Sequence, residues 1–337
     1  MTGRTRSGSL FAVLAFVAVG SSVAAAEELA SYPIAGGQAV RYAVAAVLLL
    51  ALVRLRLRRP SARDLVLLVA LSATGLVLFN ILLLEAVRRA DAGSVGVIVG
   101  AVPVVLVVAG PLLARERLRP TLLAAAAVVA LGAALVQGAG GQMPLDALLL
   151  SLGVLACEAC FGLLARPLIP AFGPAGVSTW IVLLAVPMLI TVGLAADGAD
   201  MLAAPTAREA IALGYMAAVV TAGGFVAWYG SIARLGVERA GLFSGVLPVT
   251  ALFTGALLGH ADVTAGRIAG IAVVAAGITA GLFLARQPAR PLACTGQVAT
   301  RDAQRPTRLC SPEASASSPA PVGPGKPPDA RPAPSVG

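Results

Sequence analysis

The sequence predicts an all-α integral membrane protein: ten transmembrane helices as two inverted five-helix repeats, then a disordered C-terminal tail. Three observations carry that prediction. Of the 337 residues, 58% are apolar and only 12% charged, and the mean hydropathy is +0.90, far outside the soluble range. Apolar runs of about 17–25 residues, the length that crosses a bilayer core, recur with short connections between them. The chain also matches itself, without gaps, when displaced by 145 residues.

Taken in order, the spans are 10–26, 34–53, 65–86, 93–114, 121–137, 146–165, 175–195, 208–230, 240–259 and 263–285. The connections carry Pro, Gly or charge clusters, as turns at a membrane surface should. The first span has a competing reading. Arg4 and Arg6 before an apolar run that ends in Ala24, Ala25 and Ala26 resemble a cleavable secretory signal. Alternatively the run stays in the mature chain. Arginine placement tests the layout. Fifteen arginines fall at one end of the spans (Arg4, Arg6, Arg54, Arg56, Arg58, Arg59, Arg63, Arg115, Arg117, Arg119, Arg166, Arg234, Arg239, Arg286, Arg290), against four at the other (Arg88, Arg89, Arg208, Arg267). That bias puts both termini in the cytoplasm. It also explains the net charge of +9 by topology rather than by nucleic-acid binding. The last 52 residues hold eleven of the 23 prolines and too little apolar surface to offset their ordering entropy. A partner-binding Pro-rich segment is the alternative to an unselected tail.

In the self-match, "RADAGSVGVIVGAVPVVLVVAGPLL" (89–113) lies over "RLGVERAGLFSGVLPVTALFTGALL" (234–258), and 89–132 gives fourteen identities in 44 positions. Gly96/Gly241, Gly100/Gly245, Pro103/Pro248 and Gly110/Gly255 fall in register. The offset sets spans 4 and 5 over 9 and 10, so each half has five spans, residues 1–137 and 138–286, with 287–337 as tail. An odd number per half inverts the second half in the membrane. The counterpart of 10–26 is 146–165, a retained helix, so the first span is expected to be retained too.

The stretches "VGSSVAAAEELASYPIAGGQAVRY", "EAVRRADAGSVGVIVGAVPV", "WYGSIARLGVERAGLFSGVLPVTALFTGALLG" and "GRIAGIAVVAAGITAGLF" resemble the EamA-type branch of the drug/metabolite transporter superfamily over about residues 10–285. The resemblance implies ten helices in two repeats, and export of a small metabolite or drug. One departure is visible: where the family pattern ends helix 9 with Gly-Glu, this chain has Gly259-His260, and Glu116 occupies the matching end of the first half.

Ionisable groups within the apolar layer are the functional candidates. A mid-helix charge costs about 2.5–3.5 kcal/mol on insertion scales, so it marks a pathway or a partner. Glu158, in "ACEACF", lies about twelve residues from the outer end of its span, roughly 18 Å deep at 1.5 Å per residue. No basic residue lies one turn away on its helix. It reads as a proton-exchanging carboxyl or as a structural glutamate bonded to a neighbouring helix, with the former expected. Arg41, Glu85, Glu27 and Glu28, with Gln38 and Asn80 at similar depth, are expected to pair among themselves. The same residues could line an outer vestibule for a zwitterionic or charged metabolite. Gly96, Gly100, Gly241 and Gly245 allow close helix approach. Pro103 and Pro248, which remove an i→i−4 bond near mid-span, are kink or packing devices. Trp180, Trp228 and Tyr229 read as interfacial anchors.

Other constellations fail. Cys157 and Cys160 lack the strand–helix setting of a redox motif. His260 has no second histidine for a metal site. No Ser/His/Asp set, Walker loop or dinucleotide turn is present. The reading is therefore not an enzyme and carries no cofactor. It is a secondary transporter in the cytoplasmic membrane, exporting a metabolite, amino-acid-like compound or drug by alternating access. Its partners are substrate, lipid and protons as the coupling ion, with a homodimer allowed and no nucleic acid. The alternatives are a scaffold or regulator acting through the Pro-rich tail, and a lipid-carrier flippase.

Overall fold

A computed structural model describes residues 3–138, 143–259 and 261–284. His260 and the C-terminal tail, including Cys294 and Cys310, lie outside the described residues. No strand is present among those described, and ten helices are long and apolar enough to cross a membrane. They are α1 (Gly3–Glu28), α2 (Ile34–Leu52), α3 (Ala62–Arg89), α4 (Ala92–Ala114), α5 (Pro120–Gln137), α6 (Leu145–Leu163), α7 (Ile169–Met201), α8 (Ala207–Leu235), α9 (Val237–Leu257) and α10 (Ala265–Phe283).

Local chemistry sets several starts. Ser61 and Asp64 form a reciprocal capping box at α3, and Thr206 and Glu209 form another at α8. Asp91 caps α4, accepting from the Gly93 and Ser94 amides at 2.8 and 3.0 Å. Pro120 opens α5, where its missing N–H costs nothing. The residues of 10–26 fold as part of α1 and pack inward, with Ala12, Ala15 and Phe16 buried in the core.

Connections gather at two ends, called here by their arginine content. At the arginine-rich end Arg4 donates to the Ala233 carbonyl and Trp180 Nε1 to that of Arg58. At the arginine-poor end Tyr32 donates to the Ala203 carbonyl and Arg89 pairs with Asp146. Helix pairing is systematic: α1 packs on α8, α3 on α6, α2 on α7, α5 on α10, α4 on α6, and α9 on α1. Exchanging each helix for its counterpart five places along the chain turns α1–α8 into α6–α3, and α4–α6 into α9–α1. Where α5 crosses α10 the backbones nearly touch: a methyl at Gly132 would stand 2.7 Å from the Val274 nitrogen. Small residues make that approach possible, which matters in lipid, where packing rather than water exclusion joins helices.

Two pairs of counterpart helices depart from regular α geometry at matched places. Helices α3 and α8 each contain a π-helical segment, Ala73–Leu78 and Met216–Gly223. Adding 145 to the first lands inside the second. Helix α4 parts at Gly100–Ala101, and α9 tightens into a 3₁₀ turn at Leu242–Gly245. The sequence reads Pro103 and Pro248 as kink or packing devices that each remove an i→i−4 bond near mid-span. Instead each lies in the first turn of a helical segment that restarts after the irregularity, where the lost N–H breaks no ladder.

Candidate functional site

A cavity of about 590 Å³ lies among α1, α2, α3, α4, α6, α8 and α9, with Gln137 of α5 also lining it. Its floor is aromatic. Phe16 meets Trp228 edge to face at 5.2 Å, and Phe161 stands 5.1 Å from Phe225 and 5.3 Å from Tyr229. From there it rises toward the arginine-poor end, lined by Gly20, Ala92, Gln137 and Ala251. The matched irregularities border it: Gly75 and Leu76, Met216 and Val220, Gly100, and Ser244 all contribute to the wall.

Of the candidate residues, the cavity gathers Glu158, Arg41, Gln38 and Asn80, with Gly96, Gly100 and Pro248. Glu158 makes no hydrogen bond or ion pair among the described residues, so the bond to a neighbouring helix expected of a structural glutamate is not seen there. Arg41 is 9% exposed. Its Nε donates to Thr221 Oγ1 on α8 at 2.6 Å, and its Nη1 to Gln38 Oε1 at 3.3 Å. The expected mutual ion pairing is therefore not how Arg41 is held. Its partners are neutral, and a buried guanidinium without an anion retains unmet demand for one. Asn80 donates to the Tyr42 hydroxyl at 3.4 Å and to the Leu76 carbonyl, tying α2 to the irregular turn of α3.

Glu85 and Glu28 stand elsewhere. Glu85 accepts from Arg88 at 2.9 Å and pairs with Arg89, both on its own helix. It lines a second cavity of about 750 Å³ at the arginine-poor end, together with Tyr32, Asp197 and Asp200. Gln38 and Asn80 line both cavities and so form the neck between them. Glu28 lies 3.9 Å from Arg208, where the last turn of α1 leans on the start of α8.

Gly241 and Gly245 act by close approach: a methyl at Gly241 would lie 2.7 Å from Leu106, and one at Gly245 2.7 Å from Val129. At Gly96 the space is taken by the Gln137 amide, and at Gly100 a methyl would face Ala133 at 3.4 Å. Trp180 is half-buried, its Nε1 donating to the Arg58 carbonyl at 3.1 Å. Trp228 and Tyr229, by contrast, are core residues, 7% and 0% exposed, because α1 and α6 bring Phe16 and Phe161 against them. The Trp228 indole N–H and the Ser244 hydroxyl have no partner among the described residues, which leaves polar groups at the cavity floor. Neither Ser244 nor Thr221 stood out as a site residue in the sequence, where a serine or threonine in an apolar run is commonplace. Cys157 is buried, Cys160 half-buried, and both are free.

Comparison with known proteins places this geometry in context. The sequence model described as the EamA-like transporter family matches twice, over residues 6–137 and 145–282. The "Uncharacterized transporter YetK" of Bacillus subtilis (strain 168) is 26% identical over 290 residues, 83% of this chain and 87% of that protein. The "Probable terminal-alkyne amino-acid exporter" of Streptantibioticus cattleyicolor is 28% identical over 226 residues, 66% of this chain and 75% of that protein. A solved crystal structure superposes with a TM-score of 0.72 at 19% identity, covering 83% of this chain and 98% of the other, which establishes likeness of fold.

Proposed function

Given that the chain belongs to the EamA-like transporter family and is a multi-pass membrane transporter, we propose that it exports a small zwitterionic, amino-acid-like compound through the 590 Å³ cavity. One observation carries the reading. A buried cation, Arg41, and a half-buried acid, Glu158, line the same apolar-walled chamber. The carboxylate of the substrate goes to Arg41 and its ammonium to Glu158, while its side chain rests on the apolar wall. Charge-assisted hydrogen bonds at both ends fix the orientation. The name of the Streptantibioticus relative supports the compound class and the direction.

The mechanism is alternating access between two halves of opposite insertion, residues 1–137 and 138–286. The exchangeable helix pairs and the matched irregular turns support it. The arginine bias supports a cytoplasmic-membrane protein with both termini inside. Glu158 couples transport to protons: it releases a proton to bind the ammonium and takes one up on the return. The proton gradient supplies the work.

The test is flux in proteoliposomes with and without a pH gradient. The parent is expected to respond to the gradient and Glu158→Gln to lose that response. Equal gradient dependence in both removes the coupling role.

A further inference from the structure

Thr221 differs from five other threonines of the helices in where its hydroxyl is engaged. Thr74, Thr179, Thr191, Thr250 and Thr279 each donate to the carbonyl four residues earlier, at 2.7–3.0 Å. That is the ordinary resting place of a helical hydroxyl. The bond found for Thr221 is of the other kind: its Oγ1 accepts from Arg41 Nε at 2.6 Å, across from α8 to α2. The residue is fully buried and lies within the π-helical segment Met216–Gly223, where the main-chain ladder runs i→i+5 and departs from α register.

Holding Nε, rather than an Nη group, has a geometric consequence. A guanidinium is a planar fork with five N–H donors, and it grips a carboxylate through two parallel bonds along one edge. Thr221 holds the Nε corner and Gln38 meets Nη1 at 3.3 Å, so two of the five donors are engaged. The Tyr42 ring lies 5.3 Å from the guanidinium carbon, restricting the plane further. The donors left over are on the Nη side, and Arg41 lines the cavity.

We propose that Thr221 is the positioning residue that orients Arg41 for a carboxylate, and so sets the preference for an acid over its neutral analogue. The proposal rests on the reading of Arg41 as the carboxylate site. Deleting the hydroxyl leaves the charge in place but frees the fork to turn, so affinity for the acid falls while affinity for the amide stays.

The experiment measures binding of L-leucine and L-leucinamide, which share an ammonium and a side chain but differ in the carboxylate, to purified full-length protein. Thr221→Val is expected to weaken leucine about tenfold, the scale of one charge-assisted bond, with leucinamide unchanged. Thr221→Ser, which restores a hydroxyl, should return leucine to within about threefold of the parent. Retained leucinamide binding shows that a variant is folded. If Thr221→Val does not fold, Thr221→Ala carries the same test. A parent-like ratio of the two affinities in the variant, or an equal loss of both ligands, overturns the proposal. Arg41→Ala separates the two levels. If that variant keeps the parent ratio, the carboxylate reading itself fails. If it loses the ratio while Thr221→Val and Thr221→Ala keep it, only Thr221 is excluded. A parent that binds neither compound overturns both.

Discussion

The two ends of the α4–α9 pair differ although the same helices form both. At the arginine-rich end the later half of α4 packs on the start of α9. Leu106 fills the space beside Gly241, and Gly110 lies close enough to Val237 and Glu238 that a methyl there would stand 3.3 and 3.2 Å from them. Arg166, just after α6, donates to the Gly110 carbonyl at 3.1 Å and pairs with Glu116 at 3.3 Å. At the arginine-poor end the early half of α4, with Ala92, Gly96 and Gly100, lies across the cavity from Leu247, Pro248 and Ala251 of α9. One pair of helices is thus shut at one end and parted at the other. A cycle that reverses the two conditions would present the cavity to each side in turn, and the shut end is where that idea is most exposed to test.

The largest effect is expected from a covalent tie. Gly110→Cys with Glu238→Cys, in a background without the native cysteines, should form a disulfide that fixes the shut end. Flux in proteoliposomes should fall at least about a hundredfold on oxidation and recover on reduction, the range of bond formation within an accessible Cβ separation. Unchanged flux in the oxidised protein would mean that this contact never opens. A smaller effect is expected from Arg166→Ala, which removes the Glu116 pair and the bond to Gly110. Both partners of the pair are partly exposed, so loosening is worth no more than about 1 kcal/mol, or roughly fivefold. The readout is labelling of a cysteine introduced at Val102 by a membrane-impermeant reagent added from the arginine-rich side, which should quicken by up to that factor.

The smallest effect concerns the parted end. The Ser94 hydroxyl, then the Gly93 and Ser94 amides, hold the Asp91 carboxyl below its usual range. A carboxyl whose folded value is depressed contributes stability above its unfolded value and loses it as pH falls through the folded one. Asp91→Ala should therefore lower the thermal midpoint in detergent at neutral pH by the cost of one cap, about 0.5–1 kcal/mol. The difference from the parent should shrink below about pH 4. A gap that persists in acid would assign the loss to something other than the charged cap.

The ten spans were legible because a bilayer imposes its thickness on composition, and the arginine alternation was legible because loops sort by charge. Glu158, Arg41, Gln38 and Asn80 could be picked out by depth alone, since polar groups at that depth need a reason. Glu28 and Glu85 share the same depth signal but fall to local partners, Arg208 in one case and Arg88 and Arg89 in the other. Which of two nearby arginines a carboxylate finds depends on helix rotation, and the hydrophobic pattern of an apolar-all-round span does not report rotation. Trp228 and Tyr229 were misjudged for the same reason: their neighbours come from α1 and α6, not from their own helix. The π-helical segments have no compositional mark in "ATGLVL" or "MAAVVTAG", so the device that brings Thr221 to Arg41 could not be read in advance.

Those segments carry one more consequence. A π-helical turn amounts to one surplus residue threaded into an otherwise regular coil. Removing a single residue from Ala73–Leu78 would let α3 relax to 3.6 residues per turn while everything beyond it keeps its orientation, because the wide turn had already absorbed the surplus. Asn80 would keep its facing, and the change would fall on the wide turn itself, whose Gly75 and Leu76 line the cavity. In a protein of this design, a one-codon deletion can therefore reshape one wall of the cavity while leaving every hydropathy plot all but untouched.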